Sequence, residues 1–401
     1  MKWLACGPLL LGLLSAGIAQ SAPQRLYSFT GGSDGATPFG AMINVGGILY
    51  GATSAGGAAG AGTVFSFNPT TKGIAVLYTI PASECCDVGT APTPALTYAD
   101  GILYGATVSD GAAFDGTIFE VDPKTGLGKV VYTFQGGSDG ASPVGGLISV
   151  NGLLYGTTEY GGVRGTPGCD DGIGCGTVFE LNPKTGAERI LYAFQGGADG
   201  GFPFAALTNV GGNLYGTTAH AGSPKCSCGT IFSINTASGA LTTLYAFAGG
   251  NDGAAPGSPL LDLNGMLYGT TFGGGPIPCY YGTGCGTVFS FNPSSGTETV
   301  LYSFQGGTDG WGPEQPLISL NGNLYGVTAY GGTKNCHGKA GCGTIYQLNL
   351  TTGAEKVLFA FKAGGTNDSA DPTITLRDKT LYGTAALARG AQDGIIFKLS
   401  P

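Results

Sequence analysis

The sequence predicts an all-β protein, a seven-bladed β-propeller with four antiparallel strands per blade. Three observations carry this expectation. A phrase built on Leu-Tyr-Gly recurs seven times, with its tyrosine at Tyr50, Tyr104, Tyr155, Tyr215, Tyr268, Tyr325 and Tyr382. The spacings are 54, 51, 60, 53, 57 and 57 residues, at the long end of propeller repeats. Each unit holds four short apolar runs separated by turn residues, and no helical period appears. Finally, 77 of the 401 residues are Gly and 22 are Pro, yet 42% are hydrophobic. That is too turn-rich for helices and too apolar for a disordered chain. A parallel β-helix is the competing architecture, but its periods are shorter and it has no regular Asn-Gly hairpin.

The elements follow in order. Residues 1–22 read as a signal peptide: Lys2, an apolar run through Leu14, then small residues with Ala19 or Ala22 at the cleavage point. The run is too short to span a bilayer. Residues 23–401 form a single propeller domain. Gln24–Phe29, "QRLYSF", is a fourth-type strand with no first three before it. Residues 256–304 show a complete unit. Strand a lies in "PGSPLLDLNG", b in "MLYGTT", c in "GTVFSFNP" and d in "ETVLYSF". Asn-Gly between a and b is a strong hairpin signal, and the strands are rich in residues that fit a pleated surface. The last unit has a, b and c and then stops, so the N-terminal strand is expected to close the last blade.

Ten cysteines follow the signal segment, an even number suited to an oxidising compartment. They fall in local pairs: Cys85–Cys86, Cys169–Cys175, Cys226–Cys228, Cys279–Cys285 and Cys336–Cys342. Local disulfides are the expectation. A zinc site would need converging ligands, and only His220 and His337 could add imidazoles. From the Gly of Leu-Tyr-Gly to the Gly that opens strand c, the separations are 11, 11, 20, 13, 17, 17 and 11. The four long b–c loops each carry a pair, and the short ones carry none. A staple restricts the unfolded states of a loop that is costly to order.

In a blade of this phase the b–c and d–a loops emerge on one face. The d–a loops repeat an Asp before Gly: Asp34, Asp139, Asp199, Asp252 and Asp309. Asp there caps a tight turn; a crown of carboxylates holding calcium is the sharper alternative, thin at one Asp per loop. No other cofactor is implied. Aromatics gather on the same face: Tyr160, His220 and Tyr330 at equivalent positions, Tyr280 and Tyr281 within one cysteine ring, and Trp311. These are candidate ligand-binding residues for flat or sugar-like ligands. Glu159, Asp170, Asp171 and Glu314 are candidate acid/base carboxylates. No Gly-x-Ser-x-Gly motif is present.

The repeated motif "LYxFxGGxDGxxPxxxLxxxxGxLYGTTxxGGxxxxGTVFxxxPxTG" resembles the GloVer tandem repeats of bacterial exported proteins, over residues 25–399. The resemblance implies a secreted or surface-displayed repeat protein without an assigned activity, and supplies no catalytic residues. A C-terminal sorting segment often follows such repeats, whereas here Ser400–Pro401 follow the last strand directly. The expected location is therefore secreted or periplasmic, and the expected state a monomer. The formal charge of −8 gives no basic face for nucleic acid, and no later segment is apolar enough to cross a membrane. The expected role is a non-catalytic binding or scaffold module for an extracellular glycan or protein. The alternative is a carbohydrate-active hydrolase or lyase using the loop carboxylates.

Overall fold

The computed structural model describes residues 22–81, 95–109, 111, 115–163, 165, 169, 172–279, 282–333, 340–362, 371–386 and 393–401. Seven antiparallel sheets form the ring, each built of strands a, b, c and d in that order. Blade 1 is Ala36–Val45, Ile48–Ala55, Thr63–Asn68 and Gly73–Thr79. Blade 3 is Ile148–Val150, Leu153–Thr158, Thr177–Asn182 and Ala187–Ala193. Strand a of one blade touches strand a of its neighbour, so these strands line the axis. Blade 7 combines Thr373–Arg377, Thr380–Ala385 and Ile395–Leu399 with Gln24–Ser28 from the other end of the chain. Tyr27 pairs with Ile396 and Ser28 with Ile395, which closes the ring as expected.

Strand a is shorter than its apolar run suggests. In blades 2, 3, 4 and 6 it has three residues, as in Ile148–Val150. In blades 5 and 6 a proline lies just upstream, Pro259 or Pro316, and proline cannot donate to a ladder. The preceding segments instead wall the central channel.

The core lies between blades. Phe134, Tyr104 and Ile118 of blade 2 pack on Leu147, Leu154 and Phe179 of blade 3. Phe194 and Val178 of blade 3 pack on Leu214 and Phe232 of blade 4. Seven such clusters fill the seven junctions. Each blade is thus buried on both faces, so its central strands do not alternate cleanly between apolar and polar residues.

The repeated glycine of strand b has a packing role. A Cβ on Gly156 would lie 2.5 Å from Cζ of Phe179, its partner on strand c. Gly216 and Phe232 repeat the relation at the same 2.5 Å. The missing side chain is the space that the ring occupies.

Candidate functional site at the channel mouth

The looped face is built on two recurring locks. The first closes the base of the b–c loop in blades 1 to 6. The last Thr of strand b and the first of strand c share a buried hydrogen bond: Thr53–Thr63 at 2.9 Å, Thr158–Thr177 and Thr271–Thr287 at 2.8 Å. The backbone N–H of Thr177 also donates to Thr158 Oγ1, at 3.2 Å. Whatever the loop does above, its base keeps one geometry.

The second lock holds the d–a loop and uses the repeated Asp. Tyr192 Oη donates to Asp199 Oδ2 at 3.0 Å, and the Gln195 N–H to the same oxygen at 2.7 Å. Tyr27–Asp34, Tyr132–Asp139, Tyr245–Asp252 and Tyr302–Asp309 repeat the clasp, each from a tyrosine seven residues upstream. The five aspartates therefore fasten their own loops, one each. Among the described residues no group of three His, Cys, Asp or Glu side chains is placed to hold a metal ion.

Cys169–Cys175, Cys226–Cys228 and Cys279–Cys285 are disulfides. Cys342 is disulfide-bonded too; its expected partner Cys336 lies outside the described residues, as do Cys85 and Cys86. The staples do more than fasten b–c loops. A Cβ on Gly196 would lie 2.6 Å from both sulfurs of Cys169–Cys175, and one on Gly306 2.7 Å from Cys279 Sγ. Each of these glycines opens the following d–a loop, so each staple packs onto a neighbouring loop. In two of the three blades without a staple an aspartate fills that space: Asp115 against Gly136 and Asp393 against Gly31, both 2.4 Å from the ideal Cβ position.

The backbone ties the two loop sets together. Ala141 bridges to Tyr160, Gly201 to His220 and Trp311 to Tyr330. These bridges place the three predicted aromatics at equivalent points of the rim. Trp311 is only 7% exposed, stacked on Tyr330 at 4.1 Å and edge-on to Phe272 at 6.0 Å. Its ring packs the loop base and offers no open face to a ligand. Tyr160 is half-buried, edge-on to Phe202, whereas His220 is exposed. Tyr280, Tyr281, Asp170 and Asp171 lie outside the described residues.

A cavity of 530 Å³ opens at the channel mouth, within the usual range for ligand pockets. Phe39, Val144, Phe204, Gly257 and Glu314 line it from the d–a side, and Val108, His220 and Phe272 from the b–c side. The first five all follow a repeated proline: Pro38, Pro143, Pro203, Pro256 and Pro313. Glu314 is thus the acid among apolar equivalents. It is walled by the channel yet open to it, and has no hydrogen-bond or ion-pair partner among the described residues. Confinement among these walls, then the charge of Asp371, pushes its carboxyl up to about 7. Asp371 lines the adjoining recess with Glu314, Phe39 and Pro372. Burial, then these two carboxylates, raises the Tyr330 hydroxyl as well.

Glu159 is not among the residues that line this cavity. Its carboxyl is raised by burial, partly offset by a hydrogen bond with Tyr160. The carboxylate placed beside Glu314 is Asp371, which the sequence reading did not single out. Phe39, Phe204 and Phe272 were passed over as well. The available signal was the residue after each repeated proline, which differs from unit to unit.

Comparison with solved structures shows the same fold at low identity. An oligogalacturonate lyase in complex with manganese superposes with a TM-score of 0.55, at 13% identity over 95% of this chain and 97% of that one. An oligogalacturonate lyase from Vibrio parahaemolyticus gives 0.56, at 11% identity over 94% and 93%. The extracellular domain of a one-component system from B. thetaiotaomicron gives 0.53 at 14% identity, over 95% of this chain and 43% of that one. No curated protein matches the sequence. The family model of the Gloeobacter/Verrucomicrobia repeat matches residues 13–169, 169–337 and 282–401, and the chain belongs to that family.

Proposed function

We propose that the protein is an exported, non-catalytic binding module whose looped face takes an extracellular ligand, glycan or protein, at the channel mouth. The observation that carries this reading is the open cavity walled by Phe39, Val144, Phe204 and Phe272 with Glu314 at its edge. Rigid loops on a rigid ring are where recognition residues sit, and the staples and clasps make these loops rigid. Disulfides favour an oxidising compartment. No helix among the described residues is long and apolar enough to cross a membrane.

The test is a glycan-array and extracellular-protein screen of the mature protein against Gly257→Trp. Gly257 lines the cavity and has nothing within 4 Å of its ideal Cβ position, so a side chain can start there, and the indole is expected to fill the mouth; a melt of the variant checks that it is folded. Binding lost in the plugged variant supports the reading. Ligands that bind both proteins alike would refute it.

A second reading, a carbohydrate-active hydrolase or lyase, is favoured by one observation: Glu314 is raised to about 7 beside Asp371. A carboxyl tuned near the working pH suits general acid–base chemistry. Turnover of oligogalacturonate or another polysaccharide, abolished by Glu314→Gln, would establish it. An activity unchanged in that variant would remove Glu314 from the chemistry.

A further inference from the structure

Resting on the binding reading, we infer that the channel mouth selects an organic cation: an ammonium group carried on an apolar body. Three features converge on this class. The walls hold three phenylalanine rings, Phe39, Phe204 and Phe272. Aromatic rings attract cations through their quadrupole, more strongly where water is excluded. The carboxylates come next. Glu314 belongs to the cavity and Asp371 to the recess that shares Glu314 and Phe39 with it. The described lining residues include no Lys or Arg. Finally, Glu314 has no protein partner among the described residues.

Competing ligand classes fit less well. An anion would meet two carboxylates at the mouth and no Lys or Arg among the described lining residues. A neutral sugar would need hydrogen-bonding groups around its ring, whereas most of the lining is Phe, Val, Ala and Gly. A bare metal ion would find too few oxygens, since hard cations such as calcium take six to eight. An alkyl- or arylammonium satisfies the walls and the carboxylate together. The net charge of −8 would also steer such ligands toward the protein.

The experiment is a calorimetric or NMR titration of the intact mature protein with 2-phenylethylammonium and with 2-phenylethanol at pH 7.5 and low salt. The two probes share an apolar body and differ in charge. The expected result is at least about tenfold tighter binding of the ammonium. Glu314→Gln should erase that preference while leaving the weak binding of the alcohol, and Asp371→Asn should reduce it. Gly257→Trp should abolish binding of both probes.

Equal affinity for the two probes, lost in Gly257→Trp, would overturn the cation assignment and leave the binding site in place. Failure of both probes at 10 mM or so, roughly the limit of useful affinity, would also overturn it. The ligand screen with the plugged variant judges the site separately. An ammonium preference that survives both Glu314→Gln and Asp371→Asn in folded protein would show that these carboxylates do not select the ligand.

Discussion

The ring divides into two arcs. Blades 3 to 6 have long b–c loops and disulfide-bonded cysteines. Blades 7, 1 and 2 have short loops, and blade 7 contains the seam where the chain ends meet. Both arcs use the same threonine lock and the same Tyr–Asp clasp. They differ at the residue before the glycine that opens strand c. It is Cys175, Cys228, Cys285 or Cys342 in one arc and Asp115, Ala61 or Asp393 in the other. Cysteine and aspartate fill the same space against the next loop. The staple is therefore a local substitution that lets a loop grow, added to a blade that needs no staple to fold.

The largest expected effect compares equivalent core rings in the two arcs. Phe29 packs edge-on to Phe65 and Phe194 to Phe232, each at 5.3 Å. Both are buried, at 3% and 0% exposed. Truncating either to Ala should cost about 3–5 kcal/mol. Phe29→Ala should also break two-state unfolding, because it loosens the strand that closes the ring. Chemical denaturation followed by two probes checks this. Coincident transitions in Phe29→Ala would mean the seam is no weaker than any other junction.

Next comes the staple. Cys169→Ala with Cys175→Ala should cost about 2 kcal/mol, the value for so short a ring. Asp115→Ala, its counterpart in the other arc, should cost about 1 kcal/mol or less, as one side chain lost from a partly exposed loop. Thermal melts rank the two. Equal losses would mean the staple adds nothing beyond filling space.

The smallest effect is set by pH and is confined to the stapled arc. Glu188 and Glu298 are pushed up to about 7 and Glu355 to about 8, by burial first and then by Asp139, Asp252 and Asp309 of the preceding clasps. The folded chain holds these protons where the unfolded chain, near 4.5, has lost them. Their contribution is therefore fully present below about pH 4.5 and is lost as pH rises through 7 to 8. Glu298→Gln should melt about 2 °C above wild type at pH 8.5 and level with it at pH 4. Higher stability of wild type at pH 8.5 would reverse the assigned sign.

The fold was legible because it is written seven times. Tyrosine spacing gave the blade count, Asn-Gly the hairpins, and "QRLYSF" the seam. The C-x5-C pattern located Cys169–Cys175 and Cys279–Cys285. The mouth was much less legible, for a related reason. Comparing units draws attention to what they share, and Phe39, Val144, Phe204, Gly257 and Glu314 share only the proline before them. The clasp was half legible: Asp199 stood out, but its partner Tyr192 was hidden in the run that marks strand d. Trp311 misled, because its burial depends on Tyr330, 19 positions away on another loop.

The threonine lock makes blades 1 to 6 indifferent to the length of the segment above it. Separations of 11 and 20 residues stand on bases with nearly the same oxygen–oxygen distance, 2.9 and 2.8 Å. The entropy of closing a loop grows only as the logarithm of its length, about 0.6 kcal/mol per doubling. Thr158 and Thr177 therefore act as a socket into which foreign segments can be spliced. The ring would tolerate a display of unrelated peptides at several sockets, each change local to its own blade.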